Sequence, residues 1–110
     1  MKEIIGSQID GKLYSEAISQ TKVAVIDFWA DWCAPCRIMM PTFNKLASEM
    51  TDVLFLKANV EENGTLTSEL DIAGIPAVVI YVNGQIHSLL TGLQTESKLR
   101  DAINNALNQK

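Results

Sequence analysis

The sequence predicts an α/β protein in which a central mixed sheet of four or five strands carries helices on both faces. Three observations predict this fold class. The near-continuous apolar run Val23–Trp29 is typical of a strand that is covered on both sides. Residues 37–50 then repeat apolar side chains at spacings of three and four, which predicts a helix packed on the sheet. Finally, Asn83-Gly84 separates two apolar runs by only two residues, which is a strong hairpin signal.

Length and composition favour one folded domain and argue against several classes of partner. The 110 residues, 47% of them hydrophobic, suffice for one core, so residues 1–110 are expected to form a single domain. The net charge is −4 and the nine basic residues are scattered, which argues against a nucleic acid or an anionic membrane as partner. No apolar stretch approaches the ~20 residues of a membrane span. The first residues lack the apolar core of a signal peptide, so a cytoplasmic location is expected.

The segments before the apolar strand give the weakest signals. Residues 2–9 alternate poorly and predict at most a short first strand. Residues 15–20 predict a short helix, with Leu13, Ala17 and Ile18 turned inward.

The segments after the apolar strand show either the two-residue period of a strand or the three-to-four-residue period of a helix. Residues 53–58, 78–82 and 85–91 predict strands, 62–70 predicts a weaker helix, and 96–108 predicts a last helix capped by Thr95. The strand–helix–strand order predicts a parallel centre with a right-handed crossover, and the last hairpin is antiparallel.

The chain has two cysteines, Cys33 and Cys36, and they lie where the apolar strand ends and the next helix begins. A helix start offers unpaired backbone N–H groups and the positive end of the helix dipole, which stabilise a thiolate and lower the pKa of a thiol. A Cys-x-x-Cys pair in this setting predicts thiol–disulfide exchange. Cys33, nearest the helix start, is expected to be exposed and to be the attacking nucleophile. Cys36 lies one turn further on the apolar face and is expected to resolve the mixed disulfide.

A structural disulfide and half of a metal site are two other uses of this cysteine pair. A disulfide that closes so short a loop contributes little stability. A structural zinc site needs four ligands, whereas the chain has no third cysteine and only one histidine, His87. Redox chemistry is therefore favoured, with no metal and no bound cofactor, because the two sulfurs carry the electrons themselves.

Asp27 interrupts the apolar strand with a charge. A carboxylate in a central strand is costly to desolvate, and such groups often mark functional sites. Lys57 holds the matching place on the neighbouring predicted strand, so the two are expected to pair. A merely structural buried ion pair is the alternative.

Together these residues resemble the thioredoxin family over nearly the whole chain from Val23 to the end. The resemblance rests, in order, on Asp27, the Trp-Ala-Asp-Trp-Cys-Ala-Pro-Cys run that ends at Cys36, Pro41, Lys57, Gly74-Ile-Pro76, Asn83-Gly84 and Gly92. It implies a thioredoxin fold, a cis peptide bond before Pro76 and reversible dithiol–disulfide exchange with protein disulfides. It also implies that Asp27 accepts the Cys36 proton through water, and that a thioredoxin reductase-type electron donor recharges the oxidised form.

The sequence departs from the usual family pattern at three positions. Ala34 replaces the usual glycine between the cysteines, Ala77 replaces the threonine that commonly follows the cis proline, and Leu93 stands where a small residue is usual. Alanine favours a helix over glycine by about 1 kcal/mol, so Ala34 fits a helix start. The pair between the cysteines helps to set the redox potential in the family, so the potential and the range of partners are where these changes are expected to act.

A substrate-docking surface is expected around Cys33. A cis peptide before Pro76 would bring the backbone of Ile75 beside the cysteines, where a substrate peptide could pair as an added strand. Trp29 is expected to be a core residue beneath the site. The residues expected to bind substrate are Trp32, Ala34, Pro35, Ile75, Gly92 and Leu93.

The sequence therefore predicts a protein-disulfide reductase that acts as a monomer on disulfide-containing proteins. Two alternatives stay open at this point. One is a thiol oxidant or isomerase, or an enzyme dedicated to one partner. The other is a non-catalytic binding module that uses the thioredoxin fold.

Overall fold

A five-stranded mixed sheet forms the centre of the computed structural model, which describes all residues, Met1–Lys110. In chain order the elements are β1 (Lys2–Ile4), β2 (Gln8–Ile9), β3 (Lys12–Leu13), α1 (Tyr14–Ser19), β4 (Val23–Trp29), α2 (Ala34–Glu49), β5 (Leu54–Asn59), α3 (Gly64–Glu69), β6 (Ala77–Val82), β7 (Gln85–Thr91) and α4 (Glu96–Leu107). The order across the sheet is β1-β5-β4-β6-β7, and β2 and β3 form a separate hairpin.

Strand β4 lies in the middle of the sheet and pairs differently on its two sides. It runs parallel to β5 and antiparallel to β6. Strand β1 adds in parallel beyond β5, and β7 adds antiparallel beyond β6. The predicted mixed sheet with a last antiparallel hairpin is therefore confirmed.

Alternate side chains of β4 enter two separate apolar cores. Ala24, Ile26 and Phe28 join the core that contains residues of α1 and α3, whereas Val23 and Val25 join the core that contains residues of α2 and α4. Consecutive strand residues point to opposite faces, so a strand covered on both faces must be apolar along its whole length. The helices therefore cover both faces as predicted, and Asp27 lies on the face that carries Val23 and Val25. The helical side chains buried in the two cores are Ile18 and Leu66 on one face, and Met39, Phe43, Leu46, Leu99, Ile103 and Ala106 on the other.

The N-terminal segment differs most from the sequence prediction. The strand predicted over 2–9 is divided into β1, which joins the main sheet, and β2, which pairs only with β3. Ile18 is buried as predicted, but Leu13 is 55% exposed. Leu13 ends the small outer hairpin, where no second layer covers it, so the prediction that it turns inward was wrong.

Periodicity and turn residues predicted the bounds of the other elements to within a few residues. β4 and β7 have the predicted bounds, and α2 begins three residues earlier than predicted and runs on through Pro41. Asn83 and Gly84 have φ angles of 51° and 80°, the left-handed conformation that a tight two-residue hairpin requires. The Thr95 side chain caps α4 by accepting a hydrogen bond from the Lys98 N–H at 3.2 Å, as predicted. None of the helices combines the length and the apolar character needed to cross a membrane.

Candidate active site

The start of α2 places the two cysteines at the C-terminal end of β4. Cys33 is the N-cap residue of this helix, and its Sγ accepts a hydrogen bond from the backbone N–H of Cys36 at 3.2 Å. Pro35 lies in the first turn, where its missing N–H costs nothing because that group would be unpaired in any case. A sulfur in this position receives an N–H and faces the positive end of the helix dipole, so the site favours a thiolate at Cys33.

Cys33 and Cys36 are joined by a disulfide, so the structure represents the oxidised protein. Cys33 is 5% exposed and Cys36 is 1% exposed. Cys33 is thus the more accessible of the two, as predicted, but the expectation that it would be exposed was wrong. Both sulfurs belong to a small apolar cluster with Ala30, against which Trp29, Val60 and Ile75 pack.

Asp27 is fully buried, and neither of its carboxyl oxygens has a hydrogen-bond partner. Burial raises the pKa of Asp27 from its ordinary value of 3.8 to about 7, and the positive charge of Lys57 opposes part of this rise. Because Asp27 alternates with Val25 and Val23, it lies on the face of β4 that α2 covers. The carboxyl can therefore be neutral or ionised near neutral pH, beneath the helix that carries the cysteines.

Lys57 is the register partner of Asp27 on β5, but the expected ion pair between them does not form. The Lys57 Nζ lies 3.8 Å from Oε1 of Glu3 instead, and 5.5 Å from the ring centroid of Trp29. The side chains of Lys57 and Glu3 are each about a third exposed, so the ammonium group stays partly hydrated there. Direct contact with Asp27 would bury the ammonium group, which is costly. Lys57 therefore acts on Asp27 through its field and not through a contact.

The peptide bond between Ile75 and Pro76 is cis, as the family resemblance implied. Pro76 is buried at the end of the loop before β6, and its carbonyl accepts a hydrogen bond from the N–H of Gly92 at 2.8 Å. Gly92 has a φ of 89°, a conformation that side chains other than glycine rarely adopt. Ile75 packs against the cysteine cluster, so this loop and the end of β7 are joined beside the disulfide.

The predicted docking residues are largely on the surface. Trp32 is 66% exposed and Leu93 is 54% exposed, while Ala34 and Pro35 are exposed on the first turn of α2. Trp32 and Ile75 line one shallow cleft of about 360 Å³. The other residues that line this cleft are Val60, Thr67, Ile72, Ala73 and Gly74.

The structure brings to the site several residues that the sequence did not predict there. Val60 packs on the cysteines, and Glu61 accepts a hydrogen bond from the Trp32 indole N–H. Glu3 accepts a hydrogen bond from the Trp29 indole N–H at 3.2 Å. Trp29 itself is half-buried against the cysteine cluster and is not a full core residue. Val60 and Glu61 follow β5 directly, which was a usable signal. No sequence signal marked Glu3, because its position depends on how β1 pairs with β5.

Groups that could hold a metal ion are not brought together by the fold. No cluster of three or more His, Cys, Asp or Glu side chains forms. His87 lies on β7, as predicted, and its Nε2 is 3.2 Å from Oδ1 of Asn105.

Comparison with known proteins identifies relatives of similar length. The thioredoxin family model matches residues 7–105. The chain is 34% identical over 94 residues to the thioredoxin of Mycoplasma genitalium, covering 86% of this chain and 92% of the relative. It is 31% identical over 105 residues to the thioredoxin of Rickettsia prowazekii, covering 94% and 100% of the two chains.

Solved structures show the same architecture. A mutant thioredoxin from Halobacterium salinarum superposes with a TM-score of 0.82 at 34% identity, over 88% of this chain and 85% of that chain. Thioredoxin from Fasciola hepatica superposes with a TM-score of 0.86 at 27% identity, over 96% and 99% of the two chains. The predicted fold class is therefore confirmed.

Proposed function

This chain belongs to the thioredoxin family and is a thiol–disulfide oxidoreductase of the protein-disulfide reductase type, and we propose that Cys33 and Cys36 carry out the exchange in distinct roles. The observation that supports these roles is the hydrogen bond from the Cys36 N–H to Sγ of Cys33 at the start of α2. The same contact would stabilise a Cys33 thiolate once the disulfide is reduced.

In the first step, the Cys33 thiolate attacks one sulfur of a substrate disulfide. A new sulfur–sulfur bond forms between Cys33 and that sulfur, the substrate sulfur–sulfur bond breaks, and the second substrate sulfur leaves as a thiolate. Cys33 is the more accessible of the two sulfurs, which suits it to meet a protein partner.

In the second step, Cys36 loses its proton and attacks Sγ of Cys33. The mixed disulfide breaks, the remaining substrate sulfur leaves as a thiolate, and the Cys33–Cys36 disulfide forms. Two electrons have then passed from the protein to the substrate. The structure represents the product of this step.

Asp27 is the proposed acceptor of the Cys36 proton, through water. Its carboxyl is buried on the face of the sheet that α2 covers. Neither of its oxygens accepts or donates a hydrogen bond that would favour the neutral or the ionised form. A general base is most effective when its pKa lies near the working pH, and burial brings the pKa of Asp27 to about 7.

Substrate proteins would dock over the exposed and half-buried residues around Cys33, namely Trp32, Ala34, Pro35, Ile75, Gly92 and Leu93. The cleft beside Trp32 and Ile75 offers an apolar surface for a substrate side chain. The backbone next to the cis Pro76, held by Gly92, would accept an extended substrate segment as an added strand.

Proteins of this family generally act on disulfide substrates and are recharged by thioredoxin reductase. We therefore propose a thioredoxin reductase-type donor and disulfide-containing proteins as the partners of this chain. Residues 1–110 would act as one domain and as a monomer in the cytoplasm, carrying electrons for cell redox homeostasis.

Two measurements test this function. Reduction of insulin disulfides should be abolished by Cys33→Ser, and persistent turnover by that variant would contradict the nucleophile role. Redox titration of the Cys33–Cys36 couple should give a potential near the value of about −270 mV that is typical of thioredoxin. A potential above about −180 mV would instead indicate an oxidant or isomerase, and would make Ala34 a functional change.

A further inference from the structure

Three charged residues lie side by side across the sheet. Glu3 on β1 is the register partner of Lys57 on β5, and Lys57 is the register partner of Asp27 on β4. Ile4 and Ala58, their neighbours along the strands, enter the core on the opposite face, so all three charged side chains share one face. Neighbouring strands are about 4.8 Å apart, and Lys57 is therefore positioned between two carboxyl groups that could each bind it.

Lys57 binds only one of these two carboxyl groups. Its Nζ lies 3.8 Å from Oε1 of Glu3, while Oε2 of Glu3 accepts the hydrogen bond from the indole of Trp29. The Trp29 ring also lies beneath the ammonium group, at 5.5 Å. Both oxygens of Asp27 are left without a partner.

We propose that Glu3 is a positioning residue that holds the Lys57 ammonium group away from Asp27 and so leaves the Asp27 carboxyl free to take the proton of Cys36. This inference rests on the proposed role of Asp27 as the proton acceptor. Glu3 forms its hydrogen bond with Trp29 and its ion pair with Lys57, and no hydrogen bond with the cysteines or Asp27, so it would act through Lys57.

Lys57 is the charged group near Asp27 whose position can alter the protonation state of the Asp27 carboxyl. On β6 its register partner is the apolar Val78, and the residues of α4 buried on this face are apolar. Helix α2, which covers this face, carries Cys36 in its first turn, and Cys36 does not titrate in the disulfide. An opposite charge that comes into contact with a carboxyl lowers its pKa by about 1 to 3 units. Release of Lys57 from Glu3 would therefore favour the ionised form of Asp27.

The direct test is the titration of Asp27 in the oxidised protein, followed by the ¹³Cγ chemical shift of its carboxyl group. Glu3→Gln removes the charge but keeps an oxygen that can accept the Trp29 hydrogen bond. We expect the Asp27 midpoint to fall by about one pH unit. Asp10→Asn is the matched control, because Asp10 pairs with exposed Lys2 on the same N-terminal segment and should leave the midpoint unchanged.

A second pair of variants tests whether Glu3 acts through Lys57. Lys57→Gln alone should raise the Asp27 midpoint, and Glu3→Gln added to Lys57→Gln should then have little further effect. An unchanged midpoint in Glu3→Gln would overturn the inference, as would an equal fall in the presence and absence of Lys57. Glu3→Asp keeps the charge and provides a second variant if Glu3→Gln folds poorly. Its midpoint should stay closer to that of the wild type.

Kinetic measurements distinguish a failure of this inference from a failure of the proposed function on which it rests. The pH midpoint for resolution of the mixed disulfide should move in Glu3→Gln in the same direction as the NMR midpoint. If Asp27→Asn leaves that pH profile unchanged, the proton-acceptor role fails, while the NMR titration still decides whether Glu3 positions Lys57. If Asp27→Asn alters the profile and Glu3→Gln moves neither midpoint, only the role of Glu3 fails.

Discussion

At the scale of single residues, the burial of Asp27 sets the pKa of its carboxyl and thereby its proposed role at the site. Its carboxyl lies in the middle of the sheet with no hydrogen-bond partner, so removal from water disfavours its charged form. The resulting pKa of about 7 lets the group gain and lose a proton at neutral pH. A surface carboxylate would remain ionised throughout this range and would be a poor proton acceptor for a thiol.

Replacement of Asp27 by asparagine should slow resolution of the mixed disulfide by about 10²-fold at neutral pH, because a positioned general base contributes at least that much. The inflection near pH 7 should disappear from the rate profile. Stopped-flow measurement of the second step, from pH 5 to 9, checks both expectations. A profile identical to that of the wild type would exclude Asp27 as the acceptor.

Replacement of Cys36 by serine should stop the reaction after the first step. Cys33 can still attack, but no second thiolate is available to release the substrate, so a covalent adduct with the substrate protein should accumulate. Mass spectrometry under non-reducing conditions detects this adduct. Cys33→Ser is the matched control and should form none; an adduct in that variant would reverse the two assignments.

At the scale of elements, two chain reversals determine how the site and the sheet are built. The start of α2 directs backbone N–H groups towards Cys33, because the strand ends at Trp29 and the helix begins five residues later. The turn at Asn83-Gly84 reverses the chain between β6 and β7, which places Gly92 beside Pro76. The turn lies at the opposite end of β6 from Pro76, yet it sets the pairing that holds one side of the proposed docking surface.

Replacement of Gly84 by alanine should lower the free energy of unfolding by about 1–2 kcal/mol, because Gly84 has a φ of 80° that a side chain resists. A Cβ at this position would also lie 3.3 Å from Cα of Ser19. Urea denaturation measures the loss. Gly64→Ala is the control, since Gly64 begins α3 with ordinary φ and open space around it, and it should be neutral or stabilising. Equal effects of the two variants would contradict the explanation.

At the scale of the whole molecule, the sheet connects the N-terminal strand to β4, the strand that leads to the cysteines. Strands β1, β5 and β4 are adjacent, so a charge on the first residues of the chain lies two strands from the buried Asp27. Both apolar cores meet at β4, so Asp27 lies in the strand that is common to the two cores, and its protonation state contributes to the stability of the fold.

The contribution of Asp27 to the stability of the oxidised protein should decrease as the pH rises from 4 to above 7. In the folded state the pKa of Asp27 is about 7, above its ordinary value of 3.8, so in this range the folded protein holds a proton that the unfolded chain has released. The contribution is complete below pH 4 and is lost as the pH passes through 7, and it amounts to up to about 4 kcal/mol. Chemical denaturation at a series of pH values measures the change. Asp27→Asn should remove this component, and an equal pH dependence in that variant would contradict the assignment.

The sequence predicted what depends on residues that are near one another in the chain. The bounds of β4 and β7, the hairpin at Asn83-Gly84 and the cap at Thr95 follow from periodicity and turn chemistry, which act over a few residues. The cysteines were placed at a helix start for the same reason. Asp27 was recognised because a charge within an apolar strand is visible without any structure.

Features that depend on contacts between distant segments could be seen only in the folded structure. Cys33 is nearly buried because Val60 and Ile75 pack against the cysteine cluster from other parts of the chain. Lys57 pairs with Glu3 and not with Asp27, because β1 joins the edge of β5 and offers a carboxylate that is still partly hydrated. The order of the elements and the dithiol chemistry were thus readable from local periodicity, turn preferences and the spacing of the cysteines. The accessibility of Cys33 and the charge partner of Lys57 were set by the packing of distant segments, which no local pattern encodes.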